Sequence, residues 1–392
     1  MKKIFKKSDK NIIFIMACIL TVHAVIWLFT GTSPFSENPY NSYMLQAQSW
    51  KNGSLDLGVN YEHLEIAVFN GKYFISFPPF PSMVYFPFVL FGIPLSEGLI
   101  ALLFAFAGGI FTYKIFKSQN IADNVSILLT VLCVCGSNLL FVSTNAWVWF
   151  IAQNMCFALT AGAIYYAIKN KGGISFTLLA CAVGCRPFQI LYFPVICMIL
   201  MNQNDRSIKV FFRKYYWFAG AALIGIFYMW LNYMRFGNVF EFGHNYLPEF
   251  TESKYGQFNI KYLKNNLWSL IRLPEFNADG TMVFPQFDGI NIFLVSPVFA
   301  LMLYSFFRDI KNGCLIKTAA ILTILTEIIC ITMHKTMGGW HFGNRYINDC
   351  LPMAILILSL SYKNNTVSKP LIIVTIAGVL INTAGTVACY LS

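Results

Sequence analysis

Charge is what this 392-residue chain has least of. Only 11% of its residues are Asp, Glu, Lys or Arg, 17 of them acidic. A soluble domain carries roughly 25%. So few ionic groups cannot cover a water-facing surface of this size, and 57% of the chain is hydrophobic. That excludes disorder, a collagen-like chain, a soluble nucleic-acid binder and a disulfide-stapled secreted domain. No Cys-x-x-Cys pair occurs, and most of the 11 cysteines lie in apolar runs, so they read as small hydrophobes. Neither a Walker loop nor a Gly-x-Gly-x-x-Gly turn is present, so no nucleotide site is indicated. No internal repeat appears, which argues against a transporter of inverted halves.

What is present is a series of apolar runs, at about 12–30, 79–93, 96–116, 124–142, 147–168, 174–201, 215–233, 290–307, 314–333, 350–362 and 370–391. The chain therefore reads as one all-α polytopic transmembrane domain over 1–392, with about eleven crossings. The first run is close to the roughly 20 residues a span needs, and Lys2, Lys3, Lys6, Lys7 and Lys10 precede it. It reads as a retained signal anchor. The net charge of +11 fits basic cytoplasmic loops. The N-terminus, Arg206/Lys209/Arg213/Lys214, Arg308/Lys311/Lys317 and Lys363/Lys369 mark the inside. The N-terminus is then cytoplasmic and the C-terminus outside, in the plasma (inner) membrane.

Two tracings satisfy those anchors. In one, every run crosses once, and Lys114, Lys117, Lys169 and Lys171 fall outside. In the other, 79–93 is re-entrant, 174–201 splits at Arg186-Pro187, and those lysines fall inside. Charge bias favours the second. Both leave three loops outside: 31–78, 234–289 and 334–349. Eleven of the acids lie there: Glu37, Asp56, Glu62, Glu65, Glu241, Glu249, Glu252, Glu275, Asp279, Asp288 and Asp349. Loops of this length are functional by default.

In the first loop, Tyr43, Gln46/Ala47 and Trp50 recur at helical spacing, and Asn52-Gly53 stops the helix. A turn follows at Asn70-Gly71. Phe77-Pro78-Pro79-Phe80-Pro81 then gives a fixed extended entry to the next run. Glu37, Glu62 and Glu65 are candidate bases above the bilayer, able to take a proton from an acceptor hydroxyl or amine; the alternative is solvated loop acids. Arg186, in Gly184-Cys185-Arg186-Pro187, interrupts an apolar run. A guanidinium there suits a phosphate, because its planar fork donates two bonds and stays charged; the alternative is a capping or snorkelling arginine. Ile260, Leu263, Leu267, Leu270 and Ile271 share one face of an interfacial helix. In the third loop, Gly338-Gly339 allow close backbone approach, Trp340 and Tyr346 can stack on a sugar, and Arg345 is a second phosphate donor. His334 and His341 offer two metal ligands without a third, so no cofactor is expected and a divalent metal remains the minor reading. Glu327 stands alone in an apolar run and reads as a structural hydrogen-bond partner.

These patches resemble the GT-C-fold membrane glycosyltransferases, the broad group of the protein O-mannosyltransferases and the aminoarabinose transferase. The resemblance rests on Asn41, Tyr43, Ala47, Trp50, Gly53, Leu55 and Leu57, then Glu65, Gly71-Lys72-Tyr73 and the Phe-Pro-Pro-Phe-Pro run. Asn232-Tyr233-Met234-Arg235-Phe236-Gly237 with Glu241-Phe242-Gly243 resembles bacterial members. The family's acid pair after the first span is Ser36-Glu37 here, which leaves the base between Glu37 and Glu65. The resemblance implies a polyprenyl-phosphate-linked sugar donor, an extracytoplasmic acceptor and inversion at the anomeric carbon. It also implies a site on the outer face that takes donor from membrane lipid and no nucleic acid. Arg186, Arg345, Lys72, Tyr73, Arg235, Trp340, Tyr346 and His341 are its candidate substrate contacts. The rival reading is a carrier or flippase for a lipid-linked or anionic substrate.

Overall fold

The computed structural model describes residues 7–204, 207–283 and 289–392. Lys2, Lys3, Lys6, Arg206 and Asp288 lie outside the described residues. The chain is 66% helical with little sheet. Among the described residues six helices are long and apolar enough to cross a membrane: Ser8–Thr30, Glu97–Ser118, Val148–Ile168, Tyr215–Phe236, Leu315–Thr332 and Lys369–Leu391. Shorter apolar helices are Phe80–Phe91, Asp123–Val134, Gly172–Val183, Pro187–Asn202 and Val298–Arg308.

Burial divides the long helices. Val148–Ile168 has 89% of its apolar window buried and forms the centre. Ser8–Thr30 and Tyr215–Phe236 have only 28% and 22% buried, yet are as apolar. Their outward faces carry Leu28, Phe29, Leu223 and Trp230. A helix apolar all round but packed on one side is suited to lipid on the other.

The helix ends gather into two groups. Ser8, Lys114, Lys117, Asp123 and Lys169 surround one cleft. Asn204 joins Asn170 at 2.8 Å, and Asn365 accepts from the Ala122 N–H, so the ends near 204 and 365 belong to this group. So does Asp309, which pairs with Lys317 at 2.7 Å and with Lys363 at 3.7 Å. At the opposite end, Trp27 Nε1 donates to the Thr144 carbonyl, Asn38 reaches Glu97, and Tyr390 meets Thr144. Lys114, Lys117 and Lys169 thus share an end with Ser8, as the second tracing requires. The 174–201 run is also broken, as that tracing expects. Gly172–Val183 rises to Arg186, a 3-10 turn over Pro187–Tyr192 follows, and Phe193–Asn202 returns. Proline fixes the break, because it cannot continue the first helix. Phe80–Phe91 leaves that apex and stays at its end. The Phe80 N–H donates to the Gly184 carbonyl at 2.9 Å, and left-handed Gly92 stops the helix.

All the cysteines are unbridged. The first loop forms the expected helix, Ser42–Lys51, ending before left-handed Gly53. The Asn70-Gly71 turn closes a hairpin, Ile66–Phe69 against Lys72–Ile75, with both turn residues at positive φ. The second loop carries the amphipathic helix Ile260–Ser269, capped by the Asn259 side chain, with Ile260, Leu267, Trp268 and Ile271 exposed.

Candidate active site

The three long loops and the apex of the broken helix meet around a cavity of about 390 Å³. The hairpin delivers Glu65, Ser76 and Phe77. The apex delivers Cys185, Arg186 and Phe188. The second loop brings Glu241, His244, Asn245 and Glu249, and the third brings His334, Gly338, Trp340, Arg345 and Tyr346. Trp149 closes the floor from the first turn of the central helix.

Two guanidinium groups share one aromatic ring. The Arg186 and Arg345 Cζ atoms each lie 4.8 Å from the Tyr346 ring centre. Their charges are handled differently. Arg186 donates through Nε (2.9 Å) and Nη2 (2.6 Å) to one oxygen of buried Asp349. Arg345 is buried, forms no ion pair among the described residues, and its Nε lacks a hydrogen-bond partner. Burial and the nearby Arg186 charge hold its pKa below the usual range, against favourable Tyr346 and Glu65. A buried cation without a partner is expensive, and an anionic ligand removes that cost. Gly338 (φ 87°) packs on this group; a Cβ there would fall 2.5 Å from Arg345 Nε. Gly184 has a related role at the apex, where a Cβ would collide with the Tyr228 hydroxyl.

A polar network supports the arginines from beneath. Gln153 Nε2 donates to the Arg345 carbonyl at 3.1 Å. The Asp349 carbonyl accepts from Tyr192 (2.6 Å) and Gln189 (3.2 Å). Gln189 also donates to Glu327 and accepts from Thr160. Glu327 therefore has the hydrogen-bond partner expected of it.

Glu65 lines the same cavity. Its Oε1 accepts from Trp149 Nε1 at 2.9 Å, and its backbone carbonyl accepts from Ser76 Oγ. Burial, and then the Glu249 carboxylate, push its pKa up to about 7; Arg345 and the Trp149 bond pull the other way. This part-buried carboxylate is therefore close to half-ionised at neutral pH, the condition that favours a general base. Burial likewise pushes His244 down to about 4 and His334 down to about 3. Both are neutral at pH 7 and serve as hydrogen-bonding groups.

Several candidates lie elsewhere. Glu37 and Glu62 are exposed and outside the cavity, because neither is carried by the hairpin or the apex. Lys72 is exposed near Asp56, and Tyr73 packs behind the hairpin. Arg235 is a structural residue. It donates to the Ile75 carbonyl at 3.2 Å and to Asn232 Oδ1 at 2.9 Å, tying the hairpin to the end of its helix. In the same motif, Glu241 accepts from the Gly243 N–H and from Asn245. His341 is buried and does not line the cavity, whereas His334 does. Among the described residues no group of three or more His, Cys, Asp or Glu is placed to hold a metal.

Sequence reasoning did not single out Trp149, His244, Glu249 or the Asp349 partnership. Asp349 carried one legible signal, an acid three residues past Tyr346 at the edge of an apolar run. Comparison with protein-family models, curated proteins and solved structures finds no match for this chain.

Proposed function

We propose that this protein is a bacterial membrane glycosyltransferase of GT-C-like fold. It moves a sugar from a polyprenyl-phosphate donor to an acceptor outside the cytoplasm, with inversion. One observation carries the reading: Glu65, with its raised pKa, lines the same aromatic-walled cavity as buried Arg345, which has no ion pair among the described residues and whose Nε lacks a hydrogen-bond partner. A base opposite an anion site is what displacement at an anomeric carbon requires.

In this mechanism the donor phosphate lies against Arg345, with Arg186 alongside, and the sugar lies toward Trp340 and Glu65. The acceptor O–H or N–H gives its proton to the Glu65 carboxylate. The acceptor lone pair attacks the anomeric carbon from the face opposite the phosphate. The bond from that carbon to the phosphate oxygen breaks, and polyprenyl phosphate departs with the electron pair, its charge facing Arg345. Asp349 holds the Arg186 fork in place and keeps the wall from being doubly cationic. The alternation of helix ends supports eleven crossings, with 80–91 re-entrant and the 174–201 run split. The cavity then opens on the outer side, at the plasma membrane.

The test is reconstitution in proteoliposomes with a panel of polyprenyl-phosphate sugars and candidate acceptors. Release of polyprenyl phosphate with an inverted glycosidic product supports the reading. Translocation of intact donor without release points to the carrier instead.

A further inference from the structure

At the end of the bundle opposite the cavity, a second cleft of about 260 Å³ opens between helix ends. It is lined by Ser8, Tyr113, Lys114, Lys117, Ser118, Asp123, Tyr165 and Lys169. Lys117 is satisfied: it pairs with Asp123 at 2.8 Å and donates to the Ile121 carbonyl at 2.7 Å. Lys114 and Lys169 have no ion pair among the described residues. Both ammonium groups lie over the Tyr165 ring, at 5.6 and 6.0 Å, and Lys114 also lies 6.0 Å from Phe111. Lys171 lies 5.9 Å from the neighbouring Tyr166 ring. An aromatic face steadies a cation without neutralising it. The two ammonium groups are thus held on one ring and remain free to meet an anion.

Position narrows the ligand. Lys114 lies in the last turns of the apolar helix Glu97–Ser118, and Lys169 caps the apolar helix Val148–Ile168. Such residues stand at the border between hydrocarbon and water, where the phosphates of anionic lipids are concentrated. The Ser8 and Tyr165 hydroxyls add neutral donors for phosphate oxygens.

We infer that this cleft binds the phosphate of an anionic lipid headgroup, with Lys114 and Lys169 as its charged contacts. The site is independent of the transferase reading, since it shares no residue with the cavity.

Native mass spectrometry of the purified full chain tests it, with phosphatidylglycerol and phosphatidylcholine as probes and excess inorganic phosphate as a competitor. Wild type retains phosphatidylglycerol over phosphatidylcholine, and phosphate leaves that complex in place. The Lys114→Gln/Lys169→Gln double variant retains at least about threefold less. Lys114→Arg/Lys169→Arg, which keeps the charge, restores retention, and Lys264→Gln, on the distant amphipathic helix, leaves it unchanged. Equal retention by the Gln variant overturns the inference. So does equal retention of the two lipids, and displacement by inorganic phosphate assigns the cleft to a free anion instead.

Discussion

In the proposed mechanism Glu65 takes a proton only in its carboxylate form, and burial and then Glu249 push its pKa up to about 7. Turnover therefore rises as pH increases through about 7. Glu249→Gln removes the like charge, lowers the Glu65 pKa and moves that rise to lower pH. Trp149→Phe removes a bond to the charged form and moves it to higher pH. A pH–rate profile that stays fixed in both variants assigns the titrating group elsewhere. The scarcity of charge made Arg186, Arg345 and the first-loop acids legible in the sequence, because ionic groups beside lipid persist only where something repays their desolvation. It could not rank Glu65 above Glu37 and Glu62, since that ranking depends on which acid the hairpin buries beside Trp149. The Arg186–Asp349 pair joins residues 163 positions apart, and no local pattern announces it.

Among the elements, the Ile66–Ile75 hairpin and the third loop set the site. Arg235 holds the hairpin by its grip on the Ile75 carbonyl, so Arg235→Met leaves that carbonyl unsatisfied, at about 1–3 kcal/mol. Limited proteolysis within 31–78 should then quicken while the helical circular dichroism stays unchanged. An unaltered cleavage rate removes this role. Gly338→Ala adds a Cβ at a left-handed position against the Arg345 guanidinium, costing roughly 1–2 kcal/mol in backbone strain alone. Its expected signature is a raised donor KM in a protein that still folds, and unchanged donor affinity contradicts the packing argument. The first-loop helix, the Asn-Gly turn and the interfacial helix were all readable, because local stop signals and periodicity specify them. The Asn232–Gly243 motif was visible as a pattern. Its use as a clamp on a distant hairpin was not, because that requires the tertiary contact.

For the whole molecule, the alternation of helix ends makes a topological prediction. A tag at the N-terminus and a cysteine at Lys169→Cys should react with impermeant reagents from one side of the membrane, and a tag after Ser392 from the other. Reaction of the first two from opposite sides removes the tracing in which 79–93 is re-entrant and the 174–201 run is split. Apolar run lengths gave the membrane class directly, but the course of residues 79–201 was ambiguous, because short helices broken by proline carry little length signal. Contacts that gather the Asn170, Asn204 and Lys114 ends together are what support the second tracing. The central claim, that the cavity transfers sugar with Glu65 as base, is tested most directly by polyprenyl phosphate release from a turned-over donor. Wild type and Glu37→Gln should release it at comparable rates, and Glu65→Gln should fall by about 10²–10⁴-fold. Release by Glu65→Gln at the wild-type rate, or no release by wild type from any donor tried, contradicts the account.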